Sequence, residues 1–188
     1  RILIQNNKEF VCPQVRALMV YTQQFHSPLG TIALASDEST LLGLWFEGQK
    51  YFTLPKDCVQ EQTPILAQTQ QWLEIYFSGE IPHFAPPLAP LHTQSTPFRE
   101  SVWTILRTIP YGRTITYKEI AQTLACQRGI AKMSAQAVGG AVGANPIALL
   151  IPCHRVIGSD KSLTGYAGGL KRKEWLLGLE RESLKAIK

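Results

Sequence analysis

Residues 145–158 read NPIALLIPCHRVIG, and this stretch joins an apolar run to a cysteine with titratable neighbours. The run 147–151 predicts a strand or extended segment, so Cys153 would be held on a rigid element at the edge of a core. A cation near a thiol favours the reactive thiolate, and His154 and Arg155 follow Cys153 directly. Cysteine is also among the residue types most often buried. The run alone therefore leaves a catalytic thiol and an inert core thiol both open.

Charge is divided unevenly between the two halves of the chain. The 188 residues carry a net charge of +5. Residues 1–96 hold 5 Lys and Arg against 8 Asp and Glu, whereas residues 97–188 hold 14 against 6. The cysteine lies in the basic half, and a basic domain predicts a polyanionic partner, nucleic acid first and a membrane surface second. A solvated basic surface without such a partner is the alternative.

Cysteine usage and hydropathy exclude some classes of protein. The four cysteines, Cys12, Cys58, Cys126 and Cys153, form no CxxC pair, so neither a dithiol redox pair nor a cysteine zinc cluster is indicated. Sparse, unpaired cysteines suit a reducing compartment, which predicts a cytoplasmic protein. No run of 18 apolar residues occurs, so a membrane-spanning helix is not expected.

A proline-rich segment separates two regions of different periodicity. Residues 81–97, IPHFAPPLAPLHTQSTP, contain five prolines, which oppose both helix and central strand. We predict an N-terminal α/β domain over residues 1–90, with 1–16 as an extension, and a C-terminal domain over residues 91–188. Before the linker, short β-like runs predict a small sheet, and the spacing of apolar residues predicts a helix over 64–77 packed on it. The predicted strands cover residues 17–24, 31–36 and 41–47. The fold class is therefore α+β.

The C-terminal domain is predicted to be mostly helical and to contain a helix-turn-helix. Thr116 and Ser134 are suited to cap helices over 117–124 and 135–142, and two helices in this arrangement are typical of that DNA-binding motif. The second helix, AQAVGGAV, has almost no side chains that could read base edges. It therefore predicts close approach to a DNA backbone or narrow groove without sequence choice. Tight packing against another helix is the alternative reading.

Residues 145–158 strongly resemble the active-site signature of the O6-alkylguanine-DNA alkyltransferases, also called methylated-DNA–protein-cysteine methyltransferases. The resemblance covers about residues 97–182, through PYGRTITYKEIA, AVGGAVGANP, SLTGYAGG and KRKEWLL, and extends more loosely into SPLGTIALAS and LLGLWF of the N-terminal region. It implies an RNase H-like N-terminal domain and a single-turnover repair reaction. In that reaction a damaged guanine is rotated out of duplex DNA, and its O6-alkyl group passes irreversibly to a cysteine of the protein. No cofactor is implied, and O4-alkylthymine is left open as a second substrate.

The resemblance assigns catalytic roles residue by residue. Cys153 is expected to be the nucleophile and alkyl acceptor, His154 its base through a water molecule, and Glu174 the carboxylate that orients His154. Asn145 is expected to hold the bend that carries the cysteine loop. Tyr117 is expected to hydrogen-bond the flipped guanine and to help protonate it as it leaves, because a guanine anion is a poor leaving group.

The resemblance also assigns contacts to the base and to DNA. Tyr166 and Ala167 match a pocket loop in which the Ala167 N–H would contact O6, and the carbonyls of Cys153 and Val156 would accept from the exocyclic amine. Arg155 is interpreted as a structural tie for the cysteine loop and is also included among the DNA contacts. The DNA-binding residues expected on the second helix are Ala135, Gln136, Ala137, Gly139 and Gly140.

Two features depart from what many family members show. Many carry an arginine on the second helix that enters the base stack in place of the flipped base, and this chain has Gln136 there. Glutamine cannot form a guanidinium stack, although it can hydrogen-bond, so the departure concerns base flipping and leaves the transfer chemistry intact. Some members bind a structural zinc ion in the N-terminal domain. The residues available here match no strong zinc pattern, so no metal is expected; they are Cys12, Cys58, His26, His83 and His92.

Three other classes fit parts of the sequence less well. A non-catalytic alkyltransferase-like lesion-binding protein would lack the reactive cysteine, which Cys153 argues against. A methylation-activated transcription factor would need a further metal-binding domain, for which residues 1–16 are too short. A cysteine hydrolase is disfavoured by the basic domain and the helix-turn-helix. The leading prediction is a monomeric repair protein that binds double-stranded DNA in the minor groove with little sequence specificity. It is not expected to bind a membrane.

Overall fold

The computed structural model describes residues 19–52, 54, 56–90 and 95–186, which form a small sheet domain followed by a mostly helical domain. The extension predicted for residues 1–16 lies outside the described residues. The strands are β1 (Tyr21–Ser27), β2 (Gly30–Ser36), β3 (Leu41–Phe46), β4 (Val59–Gln60), β5 (Ile115–Thr116) and β6 (Val156–Ile157). The helices are α1 (Pro64–Phe77), α2 (Pro97–Arg107), α3 (Tyr117–Gln127), α4 (Ala135–Gly143) and α5 (Leu170–Ala186), with a short 3-10 helix at Cys153–Arg155. This arrangement confirms the predicted α+β class.

The N-terminal sheet has the strand order β3-β2-β1-β4, with β4 parallel to β1 and the other pairs antiparallel. Helix α1 begins where predicted, because the Thr63 side chain accepts a hydrogen bond from the Leu66 N–H at 3.1 Å and Pro64 occupies the first turn. Leu66 and Leu73 of α1 are fully buried with Ile32 of β2. Burying each large apolar side chain contributes about 1.5–3 kcal/mol of stabilising free energy, and this holds the helix on the sheet.

The predicted helix-turn-helix is confirmed as α3 and α4. Thr116 and Glu119 form a capping box at the start of α3: the Thr116 side chain accepts from the Glu119 N–H, and the Glu119 carboxylate accepts from the Thr116 N–H. Ser134 caps α4 by accepting from the Ala137 N–H at 3.2 Å. Ile120 and Val138 are fully buried within the core that joins the two helices.

The strand predicted for residues 147–151 is wrong, because this apolar run forms a buried turn. Only Ile147 makes a bridge to a strand, and the chain then reverses, with Leu149 in the left-handed region at φ 67°. Hydrogen bonds from the Leu150 N–H to the Ala148 carbonyl and from the Ile151 N–H to the Ile147 carbonyl close the turn. Periodicity could not distinguish these two structures, because a buried loop and a buried strand are both uniformly apolar.

This turn connects the two domains. The Leu44 N–H of β3 donates to the Pro146 carbonyl at 2.9 Å, and the Ala148 N–H donates back to the Leu44 carbonyl at 2.9 Å. The segment leading to Cys153 is therefore hydrogen-bonded to the edge strand of the N-terminal sheet. Among the described residues, no helix is long and apolar enough to cross a membrane.

Candidate active site

Cys153 lies at the start of the short 3-10 helix and is almost completely buried, with 5 % of its surface exposed. The Asn145 side-chain amide donates to its sulfur at 3.1 Å. Burial raises the pKa of the Cys153 thiol above its ordinary value, although the Asn145 hydrogen bond and the charge of Lys173 oppose the increase. The thiol is therefore mainly protonated at neutral pH, so nearby cations do not by themselves provide the thiolate that the sequence suggested.

Asn145 fixes the bend before the cysteine by three hydrogen bonds. Its side chain donates to the Ile151 carbonyl at 2.7 Å and to the Cys153 sulfur, and it accepts from the Ile147 N–H at 3.0 Å. Asn145 itself is 4 % exposed, so these bonds form away from solvent. One side chain therefore closes the turn and orients the thiol.

The carboxylate that contacts His154 is Glu180, which corrects the assignment of Glu174. His154 Nε2 lies 2.7 Å from Glu180 Oε1, and both residues are fully buried. Glu174 is exposed on another face of α5. Because α5 has 3.6 residues per turn, a position six residues later lies about two-thirds of a turn away. Glu180 thus faces the core together with Leu176, and Glu174 faces solvent.

The protonation state of His154 follows from this pairing. Burial lowers the pKa of His154, although the hydrogen bond and charge of Glu180 act in the opposite direction. A neutral ring can donate only from one nitrogen, and the carboxylate of Glu180 can only accept, so Nε2 carries the proton. His154 Nδ1 is then an unprotonated acceptor, and within the described part of the chain it is buried without a hydrogen-bond partner. This is the arrangement that a general base requires.

Arg155 is part of the buried network, which corrects its assignment as a DNA contact. Its guanidinium donates to both oxygens of Glu180, at 2.8 Å from Nη2 and 3.0 Å from Nε, and to the Ile109 carbonyl at 2.7 Å. Only 8 % of its surface is exposed. Its charge balances Glu180, because a buried carboxylate needs a partner, and the interpretation of Arg155 as a structural tie agrees with this geometry.

Glu180 joins elements from both domains. It also accepts from Tyr76 Oη of α1 at 2.8 Å and from the Gly112 N–H at 2.9 Å. Burial alone would raise the pKa of Glu180, but the hydrogen bonds and charges of His154 and Arg155 outweigh it and lower the pKa to about 2. Glu180 is therefore ionised at any pH near neutral.

Tyr117 connects α3 to the loop that precedes α5. Its hydroxyl lies 2.7 Å from the Gly165 carbonyl and 3.0 Å from the Thr164 carbonyl, so its single proton is shared between them. Burial, followed by the charge of Cys153, raises the pKa of Tyr117 to about 12. Gly165 has φ 58°, and a Cβ there would lie 2.8 Å from Tyr117 Oη. Glycine is therefore required at this position by both backbone and space.

Lys173 is a further site residue, and it is not predicted from the sequence. It is fully buried on α5, and its ammonium donates to the Val156 carbonyl and, at 2.6 Å, to the Thr164 carbonyl. Burial lowers the pKa of Lys173 to about 8, and the charge of Cys153 opposes this shift. Lys173 precedes Leu176 by three positions and Glu180 by seven, so helical spacing places all three on one buried face.

Two of the predicted base-contacting residues lie in the loop beside this lysine, and Val156 lies on β6. Tyr166 and Ala167 are half-buried, and within the described residues the Tyr166 hydroxyl is buried without a hydrogen-bond partner. Val156 is fully buried, and its carbonyl already accepts from Lys173. A carbonyl oxygen has two lone pairs, so it retains one acceptor site.

Helix α4 presents a smooth surface on one side and packs on the other. Its predicted DNA-facing residues are at least partly exposed: Ala135, Gln136, Ala137, Gly139 and Gly140. On the packed side, Trp103 Nε1 donates to the Ala141 carbonyl at 2.8 Å and Val138 is fully buried. Tight packing is therefore observed on one side of this small-residue helix, and close approach of the exposed side to DNA stays a prediction.

The zinc candidates do not assemble within the described part of the chain. No group of three or more His, Cys, Asp or Glu residues is placed to hold a metal ion there. Cys12 and His92 lie outside the described residues.

Comparison with known proteins identifies both halves of the chain. Residues 97–182 match the model of the 6-O-methylguanine DNA methyltransferase DNA-binding domain, and residues 19–90 match that of the 6-O-methylguanine DNA methyltransferase ribonuclease-like domain. The methylated-DNA–protein-cysteine methyltransferase of Methanosarcina barkeri is 46 % identical over 167 residues, covering 88 % of this chain and all of the relative. The protein of the same name from Haemophilus influenzae is 38 % identical, covering 86 % of this chain and 87 % of the relative.

A solved structure agrees with these sequence matches. The Mycobacterium tuberculosis protein OGT, crystallised in complex with DNA, superposes with a TM-score of 0.75 at 39 % identity, covering 87 % of this chain and 94 % of the other. The resemblance drawn from residues 145–158 is thereby confirmed over both domains. With matching models across most of its length and relatives well above 30 % identity, this chain belongs to the family of methylated-DNA–protein-cysteine methyltransferases.

Proposed function

We propose that the protein repairs DNA directly by transferring the alkyl group of O6-alkylguanine, irreversibly and once per molecule, to Cys153. The observation that carries this assignment is the arrangement behind the thiol. Cys153 is buried and oriented by Asn145, and a neutral His154 with a free Nδ1 is held by the ionised Glu180. An activated nucleophile needs an adjacent base that a third group orients.

The chemical step uses these groups in sequence. The thiol proton of Cys153 passes to His154 Nδ1 through an intervening water, and Glu180 stabilises the imidazolium that forms. The sulfur then attacks the alkyl carbon, so an S–C bond forms as the C–O6 bond breaks and the guanine leaves with the electron pair. Lys173 lowers the pKa of the thiol through its charge. Because burial keeps the resting thiol protonated, the thiolate forms only when His154 accepts the thiol proton.

Recognition of the base involves the Tyr117 hydroxyl and the loop 164–167. The Ala167 N–H contacts O6, the carbonyls of Cys153 and Val156 accept from the exocyclic amine, and the Tyr166 ring forms part of the pocket. Tyr117 must exchange one of its present carbonyl partners for the guanine. With a pKa of about 12 it is a weak acid, so it stabilises the leaving guanine by hydrogen-bond donation.

Binding to DNA places α4 in the minor groove, with the smooth Ala135–Gly143 surface close to the backbone. Contacts are mainly to phosphates, so the protein has little preference among DNA sequences. The chain binds DNA as a monomer.

The described cysteines Cys58, Cys126 and Cys153 are free thiols, which supports a reducing, cytoplasmic location. The matched ranges 19–90 and 97–182 support the division into domains near residue 90.

The assignment is tested by incubating the protein with duplex DNA that carries O6-methylguanine labelled in the methyl group. We expect the label to leave the DNA as S-methylcysteine in the protein, with guanine restored in the duplex. Release of labelled base or of labelled methanol into solution would instead indicate a glycosylase or hydrolase. Binding without any transfer would indicate a lesion-binding protein without catalysis.

The substitution Asn145→Asp is expected to slow alkyl transfer while leaving the side chain nearly the same size. A carboxylate cannot donate to the Cys153 sulfur or the Ile151 carbonyl, and its charge raises the thiol pKa. Each unit by which the pKa of the Cys153 thiol increases reduces the thiolate fraction about tenfold. The rate with free O6-benzylguanine, measured against pH, should rise at a higher pH than in the wild type. An unchanged pH profile would show that Asn145 does not control the thiol.

The substitution Gln136→Ala is expected to affect duplex DNA more than free base. Gln136 is exposed at the start of α4, where it can hydrogen-bond into the space left by the flipped nucleotide. Loss of one hydrogen bond of about 1 kcal/mol corresponds to roughly fivefold in rate on duplex DNA. Reaction with free O6-benzylguanine should be unchanged, and an equal loss on both substrates would exclude this role.

A further inference from the structure

A cleft of about 260 Å³ lies where the two domains meet, beside the base-recognition loop. Three walls enclose it: the glycine-rich face of α4, the loop residues 165–167, and Lys50 with Tyr51 from the N-terminal domain. The proposed function uses the first two walls. It gives no role to the third, which we call the lip and define as residues 47–52.

The lip is a rigid extension of the N-terminal sheet. Gln49 is buried, its N–H donates to the Phe46 carbonyl at 3.1 Å, and its side-chain oxygen accepts from the Phe46 N–H at 2.9 Å. The Glu47 N–H donates to the Thr31 carbonyl of β2 at 2.9 Å. These bonds fix the path of the backbone immediately before Lys50, so the side chains that follow have a defined origin.

The lip is also attached to the recognition loop. The Lys50 N–H donates to the Ala167 carbonyl at 3.3 Å. Arg172 strengthens the same junction, because its guanidinium donates to the Leu29 carbonyl of the N-terminal domain at 3.0 Å and to the Gly168 carbonyl of the loop at 3.1 Å. Any nucleotide bound against Ala167 therefore has the lip as a fixed neighbour.

The two lip residues that line the cleft are Lys50 and Tyr51, an ammonium beside an aromatic ring, whereas the exposed Glu47 and Phe52 of the lip line a different pocket. The Lys50 ammonium lies 5.2 Å from the centroid of the Tyr51 ring, and 57 % of Tyr51 is exposed. Tyr51 also has φ 66°, a left-handed conformation that is costly for a residue with a side chain. Such strain is concentrated at functional sites, and here it directs an aromatic side chain toward solvent at the cleft.

The Lys50 ammonium lies at the cleft although the N-terminal domain has few basic residues. In the described part of the N-terminal domain, Lys50 and Lys56 are the basic residues, and the region is acidic overall. One of these two cations lines the cleft, which is otherwise formed by uncharged residues. A general basic surface therefore does not explain it, whereas an anion that enters this cleft would.

We infer that the lip binds the DNA backbone at the extrahelical nucleotide, with Lys50 on a neighbouring phosphate and Tyr51 packed against the sugar. This inference rests on the proposed function, since it places the flipped nucleotide beside Ala167. The N-terminal domain then contributes directly to substrate binding, in addition to supporting the cysteine loop through β3.

The test compares Lys50→Ala with Lys56→Ala, which removes the same charge from an exposed position six residues later that does not line the cleft. Affinity for duplex DNA containing O6-methylguanine is measured against salt in the Cys153→Ser background, where no transfer follows binding. Each phosphate contact contributes about 0.9 to the slope of log K against log salt. We expect Lys50→Ala to make the slope shallower by about this amount, and Lys56→Ala to leave it unchanged.

Rates of alkyl transfer separate the lip from the chemistry. In proteins that retain Cys153, Lys50→Ala and Tyr51→Ala should slow reaction with the duplex and leave free O6-benzylguanine unaffected, and Tyr51→Phe should react as the wild type does. An unchanged salt slope, equal effects of Lys50→Ala and Lys56→Ala, or equal loss on both substrates would overturn the inference. If the wild type transfers no alkyl group at all, the proposed function fails, which is a distinct result.

Discussion

Replacement of Cys153 by serine is expected to abolish alkyl transfer to the protein while preserving binding to damaged DNA. A serine hydroxyl is far less acidic than a thiol and a weaker nucleophile, so a base suited to a thiol cannot activate it adequately. The hydroxyl is close in size to the thiol, and Asn145 can donate to it as it does to sulfur. Transfer from labelled O6-methylguanine duplex should fall below detection, with an unchanged dissociation constant.

The matched control for this change is Cys126→Ser. Cys126 is an exposed, free thiol on α3. It is therefore accessible to an alkylating substrate but lacks the buried surroundings of Cys153. The control should transfer the label at the wild-type rate. Residual labelling of the Cys153→Ser protein, or loss of labelling in Cys126→Ser, would place the acceptor elsewhere.

Replacement of Glu180 by glutamine is expected to impair both stability and transfer. The change leaves the buried Arg155 guanidinium without its counter-ion and gives the His154 Nε2–H a weaker acceptor. Removal of one partner from a buried ion pair costs about 3–5 kcal/mol, which chemical denaturation would measure. The rate with free O6-benzylguanine should also fall, because the imidazolium formed on His154 loses its stabilising carboxylate.

The contrast with Glu174→Gln makes this test specific. Glu174 is exposed on the same helix, and a surface substitution usually changes stability by less than about 0.5 kcal/mol. Equal effects of the two substitutions would contradict the geometry around His154. If Glu180→Gln unfolds the protein, Tyr76→Phe can replace it. This change removes one hydrogen bond to Glu180 Oε1, the oxygen that His154 contacts, so smaller losses of stability and of transfer rate are expected.

Glu180 also predicts how stability depends on acid. Folding lowers its pKa from 4.5 to about 2, so the folded state binds its proton less readily than the unfolded state does. The stabilisation from Glu180 is therefore fully present above pH 4.5 and is lost as the pH falls toward 2. In Glu180→Gln, the free energy of unfolding should decline less steeply over this interval, and an equally steep decline would assign the acid sensitivity to other groups.

The sequence was most informative where local rules decide structure. The spacing of apolar residues from Pro64 to Phe77, with Gly79 following, predicts helix α1 with its observed bounds. The capping residues Thr116 and Ser134 likewise located α3 and α4. The turn at 147–151 is not predicted because side-chain hydrogen bonds of Asn145 to residues two to eight positions later close it, and hydrophobic periodicity does not reveal such bonds.

The errors at the site have a common physical origin. The motif match assigns Glu174 to His154, although helical spacing from the apolar Leu176 places Glu180, four residues later, on the same face. The sequence assigns Lys173 no role at the site and includes Arg155 among the DNA contacts as well as in a structural role, since lysine and arginine are seldom buried. Each is buried here only because specific partners accept it, Val156 and Thr164 for Lys173 and Glu180 for Arg155. Such pairings require the tertiary structure.

The central claim, that one alkyl group is accepted once and permanently by Cys153, is tested most directly by a titration. The protein is incubated with increasing excess of O6-methylguanine duplex, and its intact mass and proteolytic peptides are measured by mass spectrometry. We expect the mass to increase by one methyl group and then to stay constant at any excess of DNA, with the methyl group on the peptide that contains Cys153. Continued repair of DNA beyond one equivalent, or a methyl group on another residue, would contradict it.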